Sequence, residues 1–210
     1  MRYDGLDEIW KRIFASEWES LCNKSKAIAA VIVDETGKVI SEGRNKIGES
    51  LIPNPRVLHA EVEAIRNLDI VKYPNVKAYT LYAALEPCPM CLGTVVMGGI
   101  RNIIVGAKDA HGGAMELIHK SEFISAKNIK VTWMPPFYGE MQRGLQAIKE
   151  LLYNEDSEKL ERMLTDFSVH NRKGVNAAKE LVATGLFERS PKEYTIRYIF
   201  DRMSDFIEKQ

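Results

Sequence analysis

Cys88 and Cys91 stand two residues apart in Pro87-Cys88-Pro89-Met90-Cys91, and 29 residues before Cys88 lies the stretch His59-Ala60-Glu61-Val62-Glu63. These two stretches constrain the fold most, because three ligand-type side chains and a carboxylate act together only if distant segments meet. At a helix start this spacing puts both thiols on one face, about one turn apart. Pro89 suits the first helical position, where no amide donor is needed. The partial positive charge of a helix N-terminus also favours thiolates. His59, Cys88 and Cys91 make the three-ligand set of a catalytic zinc, with the fourth position left for water. Glu61 is placed to reach that water without being a ligand; zinc lowers the water pKa towards about 7, and a carboxylate can shuttle its proton. A closed structural site needs a fourth ligand. The chain has three cysteines and no second Cys-x-x-Cys or His-x-x-x-His pair, so that ligand would come from a distant residue such as His111. An open zinc (Zn2+) site is the expectation.

Around these stretches the pattern alternates. Leu6, Ile9, Trp10, Ile13, Phe14 and Leu21 recur at helical spacing and predict an amphipathic helix over 5–22. Ala27 to Val33 and Lys38 to Arg44, separated by Asp34-Glu35-Thr36-Gly37, read as a hairpin. A metal helix follows at 59–68 with Val62, Ile65 and Leu68 inward and Glu63 solvated. Then come a strand at 78–85, a helix at 89–98 stopped by Gly98-Gly99, a strand at 101–107, a loop holding Asp109, His111, Gly112 and Gly113, and a last strand at 129–134. Cys22 reads as a partly buried free thiol, and His119 and His170 as surface residues. Taken alone, Asn45 is a turn residue after a strand and Asp109 belongs to a polar loop.

The two metal stretches, in the form His59-Ala60-Glu61 and Leu85-Glu86-Pro87-Cys88-Pro89-Met90-Cys91, occur together with Ala29-Ala30-Val31-Ile32-Val33, Glu42-Gly43-Arg44-Asn45 and Val105-Gly106-Ala107-Lys108-Asp109. In this combination the sequence resembles the cytidine deaminase-like superfamily over about residues 6–135. It is most similar to the branch with bacterial guanine deaminases, nucleoside deaminases and tRNA adenosine deaminases. The resemblance implies an α/β fold, a three-layer α/β/α sandwich around a five-stranded mixed sheet, which the strand–helix alternation also favours. It implies hydrolytic deamination with Glu61 as the catalytic proton carrier. Asn45 would hydrogen-bond the heterocycle through an amide that both donates and accepts, the Ala60 amide would orient it, and Asp109 would help decide which base is accepted. A homodimer is implied too. The sequence departs from the pattern at Ala27-Ile28-Ala29-Ala30, where many relatives carry Pro-x-Gly-Ala.

From Gly139 onward the pattern is wholly helical, with Leu145, Ile148 and Leu152, then Leu160, Met163, Leu164 and Phe167, then Ile196, Ile199, Phe200, Met203, Phe206 and Ile207 on repeating faces. Residues 1–138 therefore read as a zinc deaminase domain and 139–210 as a helical extension of three or four helices, packed on the core or on a second subunit. The extension carries 12 Lys and Arg against 13 Asp and Glu, and the whole chain 29 of each. Phosphate binding calls for a basic surface, so nucleic acid is not the expected partner. The expected substrate is a small aminated nucleobase or nucleoside, a guanine-type purine first. The alternatives are a tRNA adenosine deaminase and, further off, a non-catalytic zinc-binding regulatory protein, against which the presence of Glu61 beside all three ligands speaks. No run of about 18 apolar residues suggests a membrane span, and the first residues lack a signal-peptide pattern; a cytoplasmic location is expected.

Overall fold

The computed structural model describes residues 1–209. After a 3-10 turn at Tyr3–Gly5, helix α1 (Glu8–Cys22) begins where the Asp7 side chain accepts hydrogen bonds from the amides of Ile9 and Trp10. Two donors that a helix start leaves free are thereby satisfied. Strands β1 (Ala29–Val33) and β2 (Val39–Arg44) form the expected antiparallel hairpin. Its turn holds Gly37 at φ +84°, a conformation open to a residue without Cβ. Next come α2 (Ala60–Arg66), β3 (Thr80–Leu85), α3 (Pro89–Met97), β4 (Asn102–Ala107), α4 (Leu117–Lys120), α5 (Glu122–Ser125) and β5 (Lys130–Trp133). Three helices complete the described chain: α6 (Pro136–Tyr153), α7 (Ser157–Ala183) and α8 (Ile196–Glu208).

The sheet has the order β2-β1-β3-β4-β5, antiparallel from β2 to β3 and parallel from β3 to β5. This is the mixed five-stranded sheet expected. β1 lies between β2 and β3 with every residue buried, which is why it reads as an unbroken apolar run. Its side chains alternate between two cores. Ala29, Val31 and Val33 belong to the core shared with α1, α6, α7 and α8, whereas Ala30 and Ile32 belong to the one shared with α2 and α3. The result is three layers.

Aromatic rings tie the C-terminal helices to α1. The Trp10 and Tyr138 ring centroids are 4.8 Å apart and those of Phe14 and Phe200 5.2 Å. Full burial of such a side chain is worth about 1.5–3 kcal/mol, and a paired ring adds about 0.5–1.5 kcal/mol. Helix α7 is broken at Asn171, whose φ −137° and ψ 52° are not helical. No described helix is long and apolar enough to cross a membrane.

Three details differ from the sequence reading. Glu63 is not solvated: it is 1% exposed and pairs with Lys46 at 3.1 Å and Arg66 at 2.8 Å. The reason is the close seat of α2 on β2, where a Cβ added to Gly43 would lie 2.4 Å from the Ala60 carbonyl oxygen and the Ala64 amide nitrogen. That approach turns Ala60, Glu61, Glu63 and Ala64 inward and leaves Val62 and Ile65 half-buried. Second, α6 starts at Pro136 rather than Gly139, proline being well suited to a first turn. Third, α4 and α5 were not foreseen, since four residues are too few to show a helical period.

Candidate metal centre and pocket

The seven-residue α2 and the nine-residue α3 start side by side. His59 is the N-cap residue of α2 and Cys88 that of α3, with Pro89 at the first helical position and Cys91 one turn in. His59 Nδ1 lies 3.6 Å from Cys88 Sγ and 3.4 Å from Cys91 Sγ. The ligand atoms of the three residues all fall within 4.8 Å of one another. A tetrahedral zinc with the usual Zn–S and Zn–N bond lengths sets sulfur and nitrogen about 3.6 Å apart. The triad fits that ion in both donor type and spacing. His111 lines the neighbouring cavity but is exposed and outside this cluster.

The hydrogen bond from Cys91 and the nearby His59 pull the Cys88 thiol down to about 4 against the effect of burial. The same Cys88 contact, joined by burial and the Glu61 charge, pushes Cys91 up. His59 is raised by its bond to Cys88. A metal cation bound here would hold both sulfurs as thiolates. Glu61 is buried, with Oε2 3.2 Å from Cys91 Sγ. Burial raises its pKa above the ordinary glutamate value, the direction that lets a carboxylate both take and give a proton near neutrality.

The cluster opens onto a cavity of about 210 Å³ lined by Asn45, His59, Glu61, Cys88 and Asp109 among others. Asn45 is fully buried; its Oδ1 accepts the Ile47 amide at 3.2 Å, while Nδ2 has no partner among the described residues. It thus serves the turn with one end and leaves a donor at the cavity with the other. Ala60 is buried at the first position of α2 and does not itself line the cavity. Asp109 Oδ1 accepts the amides of His111 and Gly112 at 3.2 and 3.0 Å and pairs with Arg143 at 2.8 Å. Burial alone would raise the Asp109 carboxyl, but Arg143 and those amides outweigh it and hold it below its ordinary value.

Sequence reasoning missed a whole wall of this cavity. Arg143 and Gln146 reach it from α6, Met163, Asp166 and Phe167 from α7, and Lys26 from the approach to β1. The one signal available was in α6, where Arg143, Gln146 and Glu150 recur at spacings of three and four beside the apolar stripe Met141, Leu145 and Ile148. Both stripes are buried, so α6 is enclosed on two sides.

The chain is similar to several known proteins. Over 90 residues the chain is 37% identical to the tRNA-specific adenosine deaminase of Haemophilus influenzae, covering 42% of this chain and 50% of that protein. Over 91 residues it is 36% identical to the tRNA-specific adenosine deaminase of Rickettsia bellii, covering 42% and 61%. The chain thus spans between half and about three-fifths of these curated relatives. A structure from work on A-to-I editing by tRNA:A34 deaminases superposes with a TM-score of 0.49 at 27% identity, over 59% of this chain and 95% of that one. The family described as MafB19-like deaminase matches residues 6–183, a span that takes in both metal-ligand stretches, the sheet and helices α6 and α7. By that match the chain belongs to the MafB19-like deaminase family.

Proposed function

We propose that this chain is a zinc-dependent hydrolytic deaminase that releases ammonia from a small aminated nucleobase or nucleoside, with a guanine-type purine preferred. The observation that carries the reading is the buried Glu61 carboxylate set 3.2 Å from a ligand sulfur at the edge of the cavity. When bound by His59, Cys88 and Cys91, zinc supplies Lewis-acid activation of water. Glu61 takes a proton from the attacking water and passes it to a ring nitrogen of the substrate, then takes the second proton from the newly added hydroxyl and passes it to the departing amine as the carbonyl forms. The Asn45 Nδ2 donor orients the heterocycle, and Asp109 selects it. Water adds oxygen to the carbon that bore the amine, and the amine leaves as ammonia. Residues 1–138 form the zinc deaminase domain in this reading, and 139–210 are a helical extension that completes the pocket. Homodimeric assembly is part of the proposal and is read by sedimentation.

The preference for a small substrate rests on the extension's balance of 12 basic against 13 acidic residues, which offers phosphates no excess of cations. A second reading, deamination of adenosine in tRNA, is favoured by the names of the curated relatives. Ammonia release by the zinc-loaded chain across guanine, guanosine, adenosine, cytosine, cytidine and a tRNA anticodon stem-loop separates the two. Turnover of a free base or nucleoside is expected. Release from the RNA alone would establish the second reading, and tight zinc binding with no release would point to a non-catalytic protein.

A further inference from the structure

Asp109 and Arg143 form the most deeply placed ion pair of the cavity. The Arg143 side chain is 3% exposed, and its guanidinium also donates to Gln146 Oε1 and lies 4.6 Å from the centre of the Phe167 ring. A guanidinium held by a carboxylate, an amide oxygen and an aromatic face has lost its freedom to move. Its shortest contact to Asp109, and the hydrogen bonds from the His111 and Gly112 amides, fall on Oδ1. Neither amide hydrogen bond uses Oδ2.

We propose that Arg143 is the positioning residue of the substrate pocket: it fixes Asp109 so that Oδ2 reads N–H donors on a neutral purine-type edge, against a wall closed by Phe167. The inference rests on the deaminase reading above and gives the C-terminal helices a part in substrate choice. Polarity across the cavity agrees with it. Asn45 offers an unpartnered donor and Asp109 an acceptor to the same cavity, and a heterocycle carrying both a ring acceptor and N–H donors satisfies the two together. Phe167 and Arg143 are buried and held by the packing of α6 on α7, so the wall suits a free base or nucleoside better than a polynucleotide.

The test uses zinc-loaded full-length chain in a Glu61→Gln background, with equilibrium dialysis of labelled guanine between pH 5.5 and 8. The parent should bind with little change across this range. Arg143→Met should weaken binding at least tenfold at pH 7.5 and further as the pH falls, because an unpaired half-buried Asp109 gains a proton more readily. Arg143→Lys should recover part of the loss. Lys26, His59, Glu86, Cys88, His111 and Asp166 also line the cavity, and Glu86 and Asp166 lie in the field of Arg143, so Asp109→Asn alone is run beside Arg143→Met to show that the pH dependence belongs to Asp109. If Arg143→Met does not fold, Asp109→Asn with Arg143→Met removes both charges of the buried pair, a change that buried pairs tolerate better than loss of one partner, and should fold without binding guanine. Parent-like affinity and pH profile in either variant would overturn the positioning role, and so would a parent that binds no purine. The two proposals fail separately. Ammonia release insensitive to Arg143 sinks only the positioning role, whereas Arg143-dependent guanine binding with no ammonia from the wild type sinks only the deaminase reading.

Discussion

The carboxylate of Glu140 on α6 accepts a hydrogen bond from the backbone amide of Gly174 on α7, at 2.7 Å, three residues beyond the break at Asn171. A broken helix starts again with free amides, and a side chain from the neighbouring helix caps them here. Since α6 and α7 carry Arg143 and Phe167 to the cavity, this contact connects helix docking with pocket shape.

Gly174 permits the approach. A Cβ there would fall 1.8 Å from the Glu140 carbonyl oxygen, so Gly174→Ala must force the helices apart and should destabilise by more than about 3 kcal/mol, in line with severe overpacking. Glu140→Ala, which loses only the cap, should cost about 0.5–2 kcal/mol. Urea unfolding of both variants measures the difference; equal effects would mean that the close approach is not what the glycine provides.

Glu17 is fully buried between α1 and α6, and neither carboxylate oxygen has a partner among the described residues by hydrogen-bond geometry. Burial pushes its pKa well above the ordinary glutamate value. A raised folded-state pKa contributes stability that is full below the unfolded value and is lost as pH rises through the folded one. Glu17→Gln should therefore raise the melting temperature at pH 8 and have little effect near pH 4. Melting curves across that range check the sign, and a parallel shift at all pH values would contradict it.

Metal removal should expose the asymmetry of the thiols. In the chelated protein Cys88, with its pKa near 4, should be alkylated by iodoacetamide at pH 6.5, while Cys22, pushed by burial to about 11, should remain largely unmodified. Thiolate fraction governs the rate. Zinc should protect Cys88, which peptide mass spectrometry reads directly. Equal labelling with and without zinc would argue against Cys88 as a ligand.

Glu61→Gln keeps the shape of the side chain and removes its proton transfer. Zinc content should stay near one per chain, while kcat falls by about 10²–10⁴. Metal analysis alongside ammonia release gives both numbers. Activity near that of the wild type would remove Glu61 from the reaction.

Local sequence determined a good deal. The spacing of Cys88 and Cys91, Pro89 between them and the apolar run of β1 were legible because each reports a short-range geometry: one helical turn, a first-turn proline, a strand covered on both faces. The same is true of the strand–helix alternation behind the mixed sheet. Glu63 shows where this reasoning stops, since which face of a seven-residue helix turns inward depends on how closely β2 approaches, and Gly43 sets that distance from outside the helix. The wall of Arg143, Gln146 and Phe167 was beyond reach for the same reason. Its residues lie 34 or more positions from Asp109 and meet it only through the docking of α6 and α7 on the sheet. Periodicity can assign a residue to a buried stripe, but only tertiary packing decides what that stripe faces.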